Sequence, residues 1–277
     1  MAINELKKHG TENFPIELYH LNVQHSKYEM SAHWHKSIEF IRVISGNLSL
    51  RLDDRHYELC AGNYVISNIE VIHSAIPHDC VYECVGIEID FLNNTNSFMN
   101  NFINDLSIKN IFINEKIEDK YTISILDNLF DCLYKKPCGY QFTATGLILQ
   151  FFGVIFEKGL YKKLILNDNL SLAKNIIKLK KSLTYIRENY DKDVTLDDLT
   201  KPTGFSTKYF CKFFKDFTDK TPFEYLTLYR IEMACKKIIN TDFSITEIAY
   251  SCGFNDLSYF IKTFKKIKGI TPRKYKE

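Results

Sequence analysis

The chain has 277 residues, of which 45% are hydrophobic, enough for two packed domains. It contains no run of about 18 apolar residues, which argues against a membrane-spanning helix. The opening MAINELKKHGTENFPIEL has no apolar core of a secretory signal, so we expect a cytoplasmic protein without a membrane partner.

The net charge of +2 hides an asymmetry between the two halves of the chain. From Ser171 onward there are 21 Lys and Arg against 13 Asp and Glu, a net charge of +8. Subtraction from the totals leaves 15 against 21 in residues 1–170, a net charge of −6. The basic half therefore suits a polyanionic partner, and the acidic half does not.

The eight cysteines are too scattered for a zinc site of paired CxxC motifs. In a reducing cytoplasm we expect eight free thiols, several of them buried as small hydrophobic side chains.

Residues 16–92 have the pattern of short strands rich in Ile, Val, Phe and Tyr. The segments SGN, LDD, AGN and IPHD are of turn type and separate the strands. This spacing, without helical periodicity between the strands, predicts an antiparallel β-barrel of the cupin or jelly-roll type.

Helical periodicity begins further along, at residues 119–135 and 140–159, and forms a helical extension of the barrel. The second segment is apolar around nearly its whole circumference, so it is buried either within the domain or in a second copy of the chain. In the second case Phe151 and Phe152 would lie at a protomer interface. Residues 161–172 are the expected linker to an all-α domain.

The last third of the chain contains an internal repeat. TLDDLTKPTGFSTKYFCKFFKDFTDKTPFEYL (195–226) matches SITEIAYSCGFNDLSYFIKTFKKIKGITPRKYK (244–276), first at an offset of 49 and then, after one inserted residue, at 50. The matched positions include Gly204 with Gly253, Phe210 with Phe260, and Pro222 with Pro272.

Each copy predicts two helices joined by a tight turn. Thr195 and Ser244 are suited to cap the first helix, and Ser206 and Asn255 the second. The turn falls at the glycines, which tolerate a positive φ. In the second helix of the first copy we expect three side chains to face inward: Tyr209, Phe210 and Phe214. A long helix at 222–240 would hold the copies at a fixed separation, which together predicts two helix-turn-helix units.

Residues 172–277 resemble the DNA-binding domain of the AraC/XylS family of transcription regulators, above all in FSITEIAYSCGFNDLSYFIKTFKKIKGITPRKY. The resemblance implies that DNA is contacted from the start of both second helices, by Ser206, Thr207, Lys208, Cys211, Lys212, Asp256, Leu257, Ser258, Ile261 and Lys262. Two residues depart from the pattern: Thr200 stands where the second copy has Ala249, and Pro202 removes a backbone donor.

A second set of residues lies in the first half: His33, His35 and Glu39, followed by His73. The first three share strand parity and so point to one face. Three imidazoles and a carboxylate suit a divalent Fe, Mn, Ni or Zn ion. The pattern also resembles the cupin motif, with Gly46 and Gly62 in its two halves.

Three interpretations of this set remain open: a bound metal, polar contacts to a small molecule without metal, or hydrogen bonds within the barrel. Further candidates for the ligand pocket are Tyr28, Arg42, Tyr64 and His78.

We therefore expect a barrel domain over residues 1–165 for effector binding and dimerisation, and a double helix-turn-helix domain over residues 172–277. The expected function is a DNA-binding regulator, an activator that responds to a small molecule and contacts RNA polymerase. The family resemblance implies that the effector is a sugar and that the protein is a homodimer with residues 140–159 at the interface. The alternatives are a metal-dependent cupin enzyme and a metal-responsive repressor. Since a DNA-binding domain explains the basic half, we expect no catalysis.

Overall fold

The structure is a computed structural model that describes residues 9–11, 13–25, 28–92, 97–107, 111–163 and 170–276. The chain divides into two compact units, Asn4–Asp168 and Asn169–Glu277, which we name the sheet unit and the helical unit. Among the described residues, no helix is both long and apolar enough to span a membrane.

The sheet unit is built on a seven-stranded antiparallel sheet with the order β1-β6-β3-β5-β8, in which β2 also pairs with β6 and β4 with β3. The strands are β1 (Ile16–Leu21), β2 (Met30–His33), β3 (Ile38–Leu52), β4 (Arg55–Cys60), β5 (Tyr64–Ser67), β6 (His73–Ile87), β7 (Ile111–Ile113), β8 (Lys116–Ile117) and β9 (Tyr161–Lys163). Strands β7 and β9 form a separate pair. The predicted antiparallel class is confirmed.

Two of the four predicted turns are wrong. The segments SGN and IPHD lie inside β3 and β6, which pair with each other over nearly their whole length. The register shifts between Val43 and Asn47, where Gly46 has φ 72° and Asp79 has φ 44°. The turn-forming residues therefore bend two paired strands at a bulge instead of ending them. The turns at LDD and AGN are confirmed.

The helices of the sheet unit cover one face of the sheet. They are α1 (Ser97–Ser107), α2 (Lys120–Lys135) and α3 (Tyr140–Glu157). The Phe40 ring of β3 lies 4.8 Å from that of Phe151 on α3, and Phe151 and Phe152 are 0% and 4% exposed. The expectation that these two side chains lie at a protomer interface is wrong, because they fill the core of their own unit.

The opposite face of the sheet encloses a second apolar cluster, which includes Leu48 and Leu50 of β3 and Ala75 and Tyr82 of β6. Both faces of the sheet are therefore packed, and polar side chains on either face are held in defined positions. All eight cysteines are free, as expected, and five of them are buried.

The helical unit contains α4 (Leu170–Asn189), α5 (Leu196–Thr200), α6 (Thr207–Thr218), α7 (Pro222–Asn240), α8 (Ile245–Ser251), α9 (Leu257–Lys268) and α10 (Pro272–Lys276). Thr195, Thr221 and Ser244 each form a capping box with the acidic residue three positions on. Each cap contributes about 1 kcal/mol to stability. The predicted linker 161–172 is not one segment, since it contains β9 and the start of α4; residues 164–169 lie outside the described residues.

Candidate functional site

The second helix of each predicted helix-turn-helix unit starts at a capping side chain. Ser206 accepts a hydrogen bond from the backbone N–H of Tyr209, as predicted, and begins α6. In the second unit the cap is Asp256, not Asn255, and it accepts from the N–H of Tyr259. The side chains of Ser206 and Asp256 thus act as N-caps of the two helices whose exposed faces are predicted to contact DNA.

The buried side of α6 is wider than predicted. Phe210, Phe213, Phe214 and Phe217 recur at helical spacing and are buried. The expected inward position of Tyr209 is wrong, since this side chain is 45% exposed and its hydroxyl accepts from Asn175. Positions 210, 213, 214 and 217 define one stripe of a helix, and position 209 lies beside it.

The outward faces carry most of the predicted DNA contacts. On α6, Thr207, Lys208 and Lys212 are exposed and Cys211 is half-buried. On α9, Ser258, Ile261 and Lys262 are exposed, whereas Leu257 is half-buried and packs against the core of the second unit. The exposed set offers cations, hydroxyls and one apolar side chain to a partner.

Two basic residues of α7 donate hydrogen bonds to neighbouring segments of the helical unit. Arg230 donates to the carbonyl oxygens of Tyr190 and Lys192, each at 2.7 Å. Lys237 donates to the carbonyl and hydroxyl oxygens of Ser251 at the end of α8, both at 2.9 Å. These bonds fix the end of α4 and the second turn to the same helix.

In the sheet unit the structure brings together His33, His35, Glu39 and His73, with one ligand atom of each within 4.8 Å of all the others. His33 on β2 is paired in register with His73 on β6, and their rings are 4.2 Å apart. His35 Nε2 lies 3.0 Å from Glu39 Oε1, and His73 Nε2 lies 3.4 Å from Glu39 Oε2.

The backbone orients all three imidazoles in the same way. His33 Nδ1 lies 2.8 Å from the carbonyl oxygen of Ser31, His35 Nδ1 3.2 Å from that of Ser37, and His73 Nδ1 2.9 Å from that of Val71. A carbonyl oxygen only accepts, so each Nδ1 carries the proton, and in the neutral ring each Nε2 offers a lone pair.

This arrangement fits a divalent metal. Ligating histidines typically donate their other N–H to a carbonyl or carboxylate. His73 Nε2 is buried and has no hydrogen bond of normal geometry, and its 3.4 Å separation from Glu39 leaves it available as a ligand. Burial raises the pKa of Glu39, but when His35 and His73 are protonated their charge and their hydrogen bonds from Nε2 outweigh burial and hold this pKa well below its usual value. A divalent cation would take the place of those protons beside the same carboxylate.

The other predicted pocket residues do not join this cluster. Arg42 and Tyr64 lie on the opposite face of the sheet, where Arg42 contacts Glu83 at 2.8 Å and Tyr64 bonds to Asp127 of α2. The parity of β3 explains this, because Glu39 and Arg42 are three positions apart. Tyr28 accepts from the backbone N–H of Cys80, and His78 is exposed and bonds to Ser49.

Two further side chains beside the cluster, Cys84 and His9, were not predicted as site residues. The Cys84 thiol lies 3.2 Å from Glu39 Oε2. His9 is 0% exposed and its ring contacts those of His35 and Tyr19. Cys84 is one of the thiols expected only as buried hydrophobic side chains, and the position of His9 depends on a contact between distant parts of the chain.

Comparison with known families gives two matches. Residues 15–152 match an AraC-like ligand-binding domain, and residues 199–277 match a helix-turn-helix domain. The first match contains the histidine cluster, and the second contains α6 and α9.

Individual relatives match to different extents. The uncharacterized regulator YdeC of Bacillus subtilis is 24% identical over 99% of this chain and 96% of its own length. The transcriptional activator RhaS of Mannheimia succiniciproducens is 31% identical, but only 34% of this chain and 35% of RhaS are aligned. The crystal structure of ToxT from Vibrio cholerae is 17% identical over 94% of this chain and 97% of that chain, with a TM-score of 0.47.

Proposed function

Because the chain belongs to the AraC-type family of transcriptional regulators, we propose that it recognises a specific duplex DNA site with α6 and α9 together. The observation that carries this proposal is the duplication of the helix-turn-helix unit. Each unit has a capped second helix with an exposed polar face, and the long helix α7 connects the two units. Such units read successive major grooves on one side of DNA.

Specific contacts are proposed for the exposed residues only. Lys208, Lys212 and Lys262 can donate to guanine or phosphate oxygens, and Ser258 can bond to any base edge. Ile261 can only contact a thymine methyl group. The positive charge of the helical unit supports binding through phosphate contacts, which makes affinity depend on salt.

The test is selection of binding sites from random duplexes with the full chain, followed by binding of single variants. Lys212→Ala and Lys262→Ala should each weaken specific binding by about 1–3 kcal/mol. Lys215→Ala and Lys265→Ala are matched controls, exposed on the same helices one turn further on. If Lys212→Ala weakens binding to selected and random DNA equally, this lysine contacts phosphate and the base assignment is wrong.

We propose a divalent metal at the four-residue cluster of His33, His35, Glu39 and His73 as part of the effector site. When bound, the ion would supply a Lewis-acidic anchor for an oxygen of the effector. A sugar suits this site, since its hydroxyls can ligate the ion and donate to the buried carboxylate. Residues 1–165 would carry this effector function, and residues 172–277 the DNA-binding function.

The metal proposal is tested by elemental analysis. Protein purified without chelator should carry close to one metal equivalent per chain, and His35→Ala should lose most of it, because three ligands bind more weakly than four. His78→Ala is the matched control on an exposed histidine. Without stoichiometric metal, loss of effector-dependent transcription in His35→Ala would leave a purely polar effector site.

A metal-dependent enzyme is the second candidate, favoured only by the same cluster, which is also a suitable catalytic ligand set. Turnover of a small molecule by the full chain, abolished by His35→Ala and untouched by Lys212→Ala, would support it. A metal-responsive repressor would instead release DNA, or bind it, on addition of the metal alone.

We further propose that the protein is a cytoplasmic, homodimeric activator that contacts RNA polymerase. RhaS, named as an activator, supports the direction of regulation. For the dimer, the support is the outer face of α3, where Phe142 is 87% exposed and Leu149 is 41% exposed. Sedimentation of wild type and of Phe142→Lys distinguishes the dimer, since a buried ammonium group without a partner is costly.

A further inference from the structure

Gly86 is the next-to-last residue of β6 and lies beside the four-residue cluster. Gly86 is paired with Glu17 of β1 on one side and Glu39 of β3 on the other. Its φ is not in the left-handed region, so the backbone does not require glycine there. Glycine inside a strand often marks a close approach by another group.

The group above Gly86 is the imidazole of His9. A Cβ at Gly86 would lie 2.3 Å from His9 Cε1 and 2.4 Å from His9 Nδ1, so a side chain there would displace the ring. The ring therefore occupies the place of a side chain at position 86, between two strands that carry Glu17 and Glu39.

Hydrogen bonds orient this ring. The Tyr19 hydroxyl donates to Glu17, so it accepts from His9 Nδ1 at 3.1 Å. In the neutral ring Nε2 then carries a lone pair, and it lies 3.9 Å from Glu39 Oε1 and 4.0 Å from Glu88 Oε1. The ring also stands edge-on to His35, with centroids 5.6 Å apart.

The backbone next to His9 is shaped to hold it. Gly10 has φ 62°, and a Cβ there would lie 2.3 Å from the carbonyl oxygen of Phe14. The N–H of Gly10 donates to Glu17 at 3.3 Å, and Thr11 and Phe14 exchange backbone hydrogen bonds at 3.0 and 3.1 Å. Two glycines, at positions 10 and 86, thus allow one imidazole to reach the cluster.

We infer that His9 is a fifth side chain of the ligand site, a positioning residue that closes the site beside Glu39 and retains the group bound there. The inference rests on the proposed ligand site of His33, His35, Glu39 and His73. The ring stands edge-on to His35 and its Nε2 faces Glu39, so it covers this side of the site.

The test compares two variants that remove the ring from its place by different means. His9→Ala deletes the imidazole, and Gly86→Ala leaves every polar group intact but expels the ring. In the full chain loaded with Co²⁺, both variants should release the ion to excess chelator at least about ten-fold faster than wild type. Their double variant should be no faster than either alone, because both act through one contact.

The control is His78→Ala, which should release Co²⁺ at the wild-type rate. Fluorescence of Trp34, the only tryptophan, checks that the sheet unit of each variant is folded; should Gly86→Ala not fold, His9→Ala decides. Wild-type uptake of Co²⁺ with unchanged release from folded variants would overturn the inference.

A wild type that takes up no Co²⁺ would defeat the metal proposal, and the role of His9 is then decided by modification with diethyl pyrocarbonate. In the wild type the exposed His78 should react and the buried His35 should be protected. At least about ten-fold faster modification of His35 in His9→Ala supports the closing role, and an unchanged rate overturns it.

Discussion

The two helix-turn-helix units have the same order of helices, but the glycines in their turns have different surroundings. Gly204 of the first unit has φ 65° and open space around it, whereas Gly253 of the second has φ 81° and lies against Tyr190 and Arg230. The first recognition helix is packed by four phenylalanines, and the second by Phe260 and Phe264. The second unit is also bonded to α7 by Lys237, which donates to the carbonyl oxygen of Ser251.

This difference shows that matched residues of a repeated sequence can contribute different amounts to stability. The same turn needs glycine for its backbone alone in one copy, and for backbone and packing together in the other. Substitutions at matched positions therefore measure how far each unit depends on its neighbours.

The largest expected contrast is between Gly253→Ala and Gly204→Ala. Gly204→Ala should cost about 1 kcal/mol, the penalty of a left-handed alanine. Gly253→Ala adds a Cβ 2.5 Å from the carbonyl oxygen of Tyr190. Its total cost should reach about 2–4 kcal/mol, from the backbone penalty plus overpacking.

Urea unfolding followed by circular dichroism at helical wavelengths measures both costs. Trp34 fluorescence reports the sheet unit alone and should keep its midpoint in both variants. Equal midpoints of the two glycine variants would show that the contact with Tyr190 carries no energy.

A smaller effect is expected for Arg230→Met, which leaves the carbonyl oxygens of Tyr190 and Lys192 without their donor. The loss should be about 1–3 kcal/mol, with weaker DNA protection on the α9 side than on the α6 side. Lys236→Met, an exposed lysine of the same helix, is the control. Uniform weakening of the footprint on both sides would contradict a tie specific to the second unit.

The smallest contrast concerns charge at matched positions of the recognition helices. Lys208 corresponds to Ser258 at the offset of 50. If Lys208 contacts phosphate, Lys208→Ala should reduce the slope of log affinity against log salt by about 1, and Ser258→Ala should leave it unchanged. Titrations of the selected duplex at several salt concentrations measure the slopes, and identical slopes for both variants would assign Lys208 to another role.

Local signals predicted the helical unit well. The caps at Thr195 and Ser244, the positive φ at both glycines and the start of α7 at Pro222 depend on neighbours within four residues. The cap at Asp256 was missed because Asn255 is chemically equivalent, and only the path of the backbone selects between them.

Long-range contacts explain what could not be predicted in the sheet unit. Gly46 and Asp79 have the composition of turns, and only the pairing of β3 with β6 makes them a bulge. The separation of Arg42 from Glu39 follows from strand parity and could have been derived. The position of His9 could not have been derived, because His9 is 77 positions from Gly86. Only the contact between them explains why position 86 is a glycine.

The histidine orientation has a consequence for transplanting the site into other proteins. The carbonyl oxygens that face His33, His35 and His73 all belong to residues two positions away along the chain. A hydrogen bond to the nearby backbone thus helps to set the direction of each ring. A designer who carries the ligand set to another scaffold should therefore copy these three short backbone segments together with the ligands.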